Sequence, residues 1–166
     1  GHFDGRRTPA VQRLETSVEV SLEEAFAGTI RNVSLTGHGG PRTMEVKIPA
    51  GVKSGSTVRI SPSKELQVMI RVAVQPHRRF NRRGNDLRVD VEVPFEVAAL
   101  GGEAELTTMT GTVVLTIPAG SGSGRKIRLG GKGMPVLGSP ERLGDLIVTV
   151  HPTVPDDLTD EQRELL

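Results

Sequence analysis

The sequence contains no cysteine, no tryptophan and no tyrosine, and phenylalanine occurs only four times in 166 residues. The lack of cysteine excludes a disulfide framework, a thiolate nucleophile and any cysteine-ligated zinc site. It also suits a reducing compartment, so we expect a cytoplasmic protein. So few aromatic rings argue against a surface that stacks sugars or single-stranded bases. No apolar run approaches the roughly 20 residues of a membrane helix, and no signal peptide opens the chain, so we expect no membrane partner.

Positive and negative charges are also nearly balanced. The sequence has 21 Lys and Arg and 20 Asp and Glu, which gives a net charge of +1. This balance argues against a dedicated nucleic-acid or membrane-surface protein, whose surface leans basic. The four histidines never place two rings on one face of one element, and no hydrolase signature or carboxylate pair is present. We therefore expect no metal, no cofactor and no catalytic residue, hence a protein that is not an enzyme.

What the sequence does contain is period-two alternation of β-branched and polar residues, which predicts half-buried β-strands. Two short helices are predicted, one from the capping box Ser21–Glu24 to Gly28 and one from Pro94 to Gly101. A third capping box at Thr159 predicts the start of a helix that runs to the last residue. The apolar faces of the predicted strands are Leu14–Val20, Met44–Ile48, Leu66–Val74, Leu87–Val93, Val113–Ile117 and Leu146–Val150.

The chain also repeats itself. Val18-Glu19-Val20 with Ala25 and Gly28 reappears as Val91-Glu92-Val93 with Ala98 and Gly101. Ile48-Pro49-Ala50-Gly51 reappears as Ile117-Pro118-Ala119-Gly120, and Leu66–Ile70 is matched with Leu146–Val150. The second copy carries extra residues near Gly130–Leu143.

The repeat predicts a mainly β protein with two tandem β-sandwich-like domains, each with one short helix, followed by the start of a C-terminal helix. The expected bounds are 1–12 for a linker or cloning remnant, 13–80 for the first domain, 81–155 for the second and 156–166 for the start of the helix.

Three further stretches, taken in order, carry a family resemblance. They are the junction His77–Leu87, the segment Gly131-Lys132-Gly133-Met134-Pro135 with the later Gly144-Asp145-Leu146, and the doubled Ile-Pro-Ala-Gly. Together with Val20–Gly28, they resemble the C-terminal substrate-binding region of DnaJ-type J-domain co-chaperones, from about Leu14 to Leu166. The resemblance implies two tandem β-domains of the DnaJ C-terminal type.

The chain departs from the family pattern in three places. Where one branch of the family inserts a cysteine-rich zinc region, this chain has the short segment Gly37–Arg42, so it resembles the zinc-free branch, which includes curved-DNA-binding proteins. Lys64-Glu65-Leu66 replaces a Gly-Asp-Leu turn, and His151-Pro152 is followed by Thr153 rather than by the aspartate of the J domain. The J domain is therefore expected upstream of this segment.

The resemblance also implies a function, which is to bind unfolded client polypeptides in an apolar groove of the first domain and deliver them to a DnaK-type chaperone ATPase. Carried over residue by residue, the apolar lining falls on Val18, Val33 and Leu35, with Phe80 reaching back from the junction and Thr16 and Arg31 as flanks. Ordinary core packing is the alternative for each apolar residue. A homodimer is expected of the full-length protein, whereas dimerisation of this segment is doubtful.

A second hypothesis is DNA binding, since the curved-DNA-binding relatives suggest it and a basic cluster is present. Its residues are Arg78, Arg79, Arg82 and Arg83. The alternative is a solvated loop between the two domains. Phosphate contacts would make binding fall steeply with salt, with a slope near −0.9 per contact.

Overall fold

A computed structural model describes residues 11–37 and 40–154. The chain is mainly β, as predicted, and divides into two compact units between Pro76 and His77, a few residues before the boundary expected from the sequence. The first strand already begins at Gln12, inside the predicted linker, and the helix expected from Thr159 lies outside the described residues. None of the described helices has the length and apolar character needed to cross a membrane.

The first unit combines a three-stranded sheet with a separate hairpin. The sheet has the order β1-β5-β4, in which β1 runs parallel to β5 and β4 antiparallel to it. The hairpin pairs β2 with β3 from Thr29↔Ile48 to Gly37↔Gly40. The elements are β1 (Gln12–Val20), α1 (Leu22–Ala27), β2 (Thr29–Gly37), β3 (Gly40–Ile48), β4 (Thr57–Ser63) and β5 (Leu66–Val74).

Helix α1 begins and ends where the sequence predicts. The Ser21 hydroxyl accepts from the Glu24 backbone N–H at 3.1 Å, and the Glu24 carboxylate accepts from the Ser21 N–H at 3.1 Å, which completes the capping box. Gly28 ends the helix with φ 77°, a backbone conformation that glycine adopts without a Cβ penalty.

The core of the first unit lies against the central strand β5. Val68, Ile70 and Val72 are fully buried there, and the predicted alternation holds along β1, whose Leu14, Thr16 and Val18 are half-buried between exposed neighbours. Because successive side chains of a strand point to opposite faces, one face of this sheet builds the core and the other faces solvent.

The second unit repeats this order with two additions. A four-stranded sheet has the order β10-β13-β7-β6, with β7 parallel to β13, and β8 pairs with β9 in the hairpin. The additions are β6, at the start, and the small hairpin β11–β12, which falls where the sequence shows extra residues. The elements are β6 (Asn81–Arg83), β7 (Asp86–Pro94), α2 (Phe95–Leu100), β8 (Gly102–Thr108), β9 (Gly111–Ile117), β10 (Arg125–Leu129), β11 (Pro135–Val136), β12 (Ser139–Leu143) and β13 (Leu146–Thr153).

The backbone corrects one part of the predicted repeat. The Gly55 N–H donates to the Val72 carbonyl, and the corresponding Gly124 N–H donates to the Val150 carbonyl, so Val150 is the counterpart of Val72. The parallel pairs Val18↔Val72 and Val91↔Val150 agree. The sequence match of Leu66–Ile70 with Leu146–Val150 was therefore wrong by two residues, since a shift of two keeps every side chain on its face and leaves the pattern unchanged.

Gly133 and Gly144 allow the backbone segments at one corner of the second unit to pack closely. A Cβ on Gly144 would lie 2.1 Å from the Asn85 carbonyl oxygen, and one on Gly133 would lie 2.5 Å from the same atom. This close approach allows the Met134 N–H to donate to the Asn85 carbonyl at 2.7 Å and the Gly144 N–H to donate to the Met134 carbonyl at 2.9 Å. The side chain of Met134 is fully buried in the same corner.

We expect Gly144→Ala to destabilise the second unit by about 3 kcal/mol or more, because backbone atoms cannot yield to the new methyl group. Gly122→Ala is the matched control, since nothing lies within 4 Å of its Cβ position, and it should change stability by less than about 0.5 kcal/mol. Urea unfolding followed on second-unit amide signals by NMR measures both. Equal stabilities of the two variants would contradict the close approach.

Candidate functional site

The first unit presents two neighbouring strand edges that carry no partner among the described residues. Strand β1 pairs only with β5, and β2 pairs only with β3. The two strands approach each other across α1, yet no backbone ladder joins them. Edges of this kind expose rows of N–H and C=O groups that a further extended chain can pair with. We call the gap between β1 and β2 the slot.

The predicted lining residues lie on the inward face of these two strands. Val33 and Leu35 are 6 % and 4 % exposed on β2, whereas Thr16 and Val18 are half-buried on β1. The structure therefore places Val33 and Leu35 in the core of the first unit, with Val18 more accessible than either. Their contact with a ligand stays a prediction.

Arg31, on the same face of β2, is held by an acidic partner that the sequence reasoning missed. Its Nη2 donates to Glu24 Oε1 at 2.6 Å and its Nε donates to Glu24 Oε2 at 3.0 Å, a two-point contact. The Thr29 hydroxyl donates to the same carboxylate at 3.3 Å. Glu24 was identified as a capping residue, but the seven-residue separation from Arg31 gave no sign of the ion pair.

These contacts hold the Glu24 carboxylate in its charged form. The hydrogen bonds from Arg31 and then from the Ser21 backbone lower the pKa of Glu24 from 4.5 to about 2, against the opposing effect of burial. The guanidinium pKa of Arg31 is raised in return by the same hydrogen bond. The pair fixes the first turn of α1 to the start of β2, so one wall of the slot is anchored to the helix that connects the two strands.

Phe80 belongs to the second unit and is only 6 % exposed. Its ring lies 5.1 Å from the ring of His77, and the Arg79 guanidinium carbon lies 5.2 Å from its centroid. His77 Nδ1 accepts from the backbone N–H groups of Arg79 and Phe80, at 2.9 and 3.1 Å, which fixes this turn. A contribution of Phe80 to the slot of the first unit stays a prediction.

The basic cluster of the DNA hypothesis is partly engaged within its own unit. Arg79 donates to the Thr107 carbonyl at 3.2 Å and Arg82 donates to the Gly84 carbonyl at 2.8 Å, while burial lowers the pKa of Arg82. Arg78 and Arg83 are exposed. DNA binding stays a prediction that no observation on these residues favours.

The second unit lacks the features that distinguish the slot. By the shared register, Val97 stands where the first unit has Glu24, and Ala104 stands where it has Arg31, so the ion pair has no counterpart. Strand β6 pairs along Asp86–Arg88 with the edge of β7 that corresponds to the open edge of β1. Within residues 11–37 and 40–154, no group of three or more histidines, aspartates or glutamates could hold a metal ion.

We expect Glu24→Gln to lower the stability of the first unit by about 1 kcal/mol at pH 7, because it keeps the capping oxygen but removes the charge. The pKa of Glu24 is lowered on folding, so its contribution is complete above pH 4.5 and disappears as the pH falls towards 2. The two proteins should therefore converge in stability at acidic pH. The control is Glu45→Gln, an exposed carboxylate on β3, and a pH-independent difference for Glu24→Gln would contradict this account.

Comparison with known proteins gives the family. Residues 14–155 match the family model described as the DnaJ C terminal domain. Over 163 residues the chain is 38 % identical to Chaperone protein DnaJ of Deinococcus proteolyticus, covering 97 % of this chain and 50 % of the relative. Over 168 residues it is 36 % identical to Chaperone protein DnaJ 2 of Thermus thermophilus, covering 97 % of this chain and 57 % of that relative.

A third relative, Chaperone protein DnaJ of Orientia tsutsugamushi, is 42 % identical over 134 residues, which are 75 % of this chain and 35 % of the relative. The chain thus spans between about a third and somewhat more than half of the length of these curated relatives. The family model covers most of the chain, including both units. The order of the motifs, the repeated β-units and these matches agree, and the chain belongs to the DnaJ C-terminal domain family.

Proposed function

We propose that this chain is the polypeptide-binding part of a DnaJ-type chaperone and that it holds unfolded segments as an added strand in the slot of the first unit. The observation that carries the proposal is that β1 and β2 contact each other, that each has an edge without a partner among the described residues, and that their inward side chains include Val18, Val33 and Leu35. A segment that has lost its native structure brings free N–H and C=O groups and alternate apolar side chains. Strand addition satisfies both.

The first unit suits this role better than the second. In the second unit, β6 already occupies part of the equivalent edge, so a client would meet a shorter free edge there. The Glu24–Arg31 pair also fixes the start of β2 in the first unit, which spares a client part of the ordering cost of the wall it pairs with.

The expected binding is weak and tolerant of sequence. Burying one apolar client side chain contributes about 1.5–3 kcal/mol, and backbone pairing adds affinity that does not depend on sequence. Because Val33 and Leu35 are already buried, the half-buried Val18 is the lining residue that a client side chain reaches first. Weak binding allows the client to be released, and a protein that passes clients to a DnaK-type ATPase must release them.

The wider role follows from the same proposal. The relatives are named chaperones, and the chain covers about half the length of the first one, so delivery of clients to a DnaK-type ATPase is a proposal about the whole protein and not about this segment. We propose that this segment contributes holding alone, without covalent chemistry and without a cofactor. Homodimerisation of the full-length protein stays a prediction.

We expect Val18→Asp to weaken the suppression of client aggregation at least about tenfold, because a charge at the slot removes one apolar contact and resists dehydration. Val91→Asp is the matched control, since Val91 is the half-buried counterpart in the second unit. Val33 and Leu35 are poor test sites, because a buried aspartate there would disturb the fold.

The measurement combines light scattering of an aggregating client with NMR titration by an unfolded, apolar, uncharged peptide. Amide signals of β1 and β2 should move in the wild type and in Val91→Asp, and remain still in Val18→Asp. Equal loss in the two variants, or shifts confined to the second unit, would refute the slot as the client site.

A further inference from the structure

The first unit contains a second concave site, at the corner where β4 leaves β5. An open cavity of about 350 Å³ lies there, beside the bulge that interrupts pairing between Ile60 and Ser63. Arg13, Arg59, Ser61 and Gln67 provide its polar lining. Arg13, on β1, points to the opposite face of the sheet from the half-buried Leu14 and Thr16, so this corner is separate from the slot lining.

The lining is rich in hydrogen-bond donors and carries no negative charge. Two arginines line the cavity with one glutamine and one serine, and the side chain of Met69, on the same face of the sheet as Arg59, supplies apolar surface. Among the described residues, neither the Arg13 nor the Arg59 side chain makes a hydrogen bond or an ion pair. Guanidinium groups match planar carboxylates through paired N–H donors, so the composition favours a carboxylate.

The second unit shows what occupies the same corner when the chain supplies its own carboxylate. The corrected register makes Arg128 the counterpart of Arg59, and Asp145 the counterpart of Gln67. Arg128 Nη1 donates to Asp145 Oδ2 at 2.6 Å, and the Gly131 N–H donates to Asp145 Oδ1 at 3.2 Å.

The first unit lacks both the internal carboxylate and the loop that covers this corner in the second unit. Gln67 replaces the aspartate, and Arg13 stands where the second unit has a further carboxylate, Asp86. In the second unit, the loop that carries β11 and β12 folds against this corner through Gly131 and Gly133. In the first unit, only Lys64 and Glu65 separate β4 from β5, so the corner stays open.

We infer that the Arg13–Arg59 corner binds a carboxylate side chain, glutamate or aspartate, of a polypeptide partner, in the place that Asp145 fills in the second unit. The apolar surface of Met69 favours a side chain over a free inorganic anion, because the methylene groups of a side chain cover Met69 while its carboxylate meets the guanidinium groups. The inference does not rest on the slot, since the two sites use opposite faces of the sheet.

The test is an NMR titration of the 166-residue chain with the peptide acetyl-Gly-Glu-Gly-Glu-Gly-amide and its Gln counterpart. The Glu peptide should shift the amides of residues 59–61 and 67–69, and the Gln peptide should not. Arg59→Gln and Arg13→Gln should each raise the Kd about tenfold or more, because each removes one charge-assisted contact. Arg71→Gln, an exposed arginine of β5 outside the cavity, should leave the Kd within about twofold.

A second pair of variants separates the site from net charge. Gln67→Asp gives Arg59 the internal partner that Arg128 has, and it should abolish binding of the Glu peptide, whereas Gln67→Asn should retain it. Absence of Glu-peptide binding, equal binding of the Gln peptide, or equal losses in Arg71→Gln and Arg59→Gln would each overturn the inference. Displacement of the Glu peptide by an equal concentration of inorganic phosphate would overturn the polypeptide as the occupant. The uncharged apolar peptide used for the slot should bind Arg59→Gln as it binds the wild type, so failure of one site is distinguishable from failure of the other.

Discussion

Each unit is closed by the parallel pairing of its first long strand with its last. In the first unit, β5 enters between β1 and β4, and in the second, β13 enters between β7 and β10. The inserted strand is the most deeply buried part of each unit, with Val68 and Ile70 in one and Val148 and Val150 in the other all inaccessible to solvent. Because β5 takes one edge of β1, the other edge remains for a partner, and the slot is a direct result of this closure.

The two units share one strand order, and they differ in how their edges and corners are filled. The second copy fills its own edge with β6 and its own corner with Asp145 and the inserted loop. As far as the described residues show, the first copy leaves the corresponding positions open and places Arg13 and Arg59, without an ion pair, at one of them. The second copy satisfies these polar groups internally, whereas the first copy has groups that the proposed partners would satisfy.

Much of this fold could be predicted from the sequence because β-structure with one buried face has a simple pattern. Alternation identified β1, β3, β5, β7, β9 and β13 with their inward faces, and the capping box at Ser21 located α1, whereas strands such as β2, β4 and β8 were not predicted. The same pattern could not fix the pairing of β13, since a shift of two residues moves no side chain to the other face. The family resemblance, not alternation, identified Val33 and Leu35 as lining residues, and it carried no information on how completely they are buried. The Glu24–Arg31 pair and the Arg13–Arg59 corner join residues from different elements, and their proximity depends on register rather than on local sequence.

The central position of β5 has a consequence for synthesis of the chain on the ribosome. Within the described residues, β5 is the sheet partner of both β1 and β4, so these two strands wait for residues 66–74 to be made. Until then the nascent segment carries open edges and an uncovered apolar face, which is the condition that leads other β-proteins to aggregate. During its own synthesis, a member of a chaperone family therefore exposes open strand edges and apolar surface. These are the same features that it is proposed to cover in its clients.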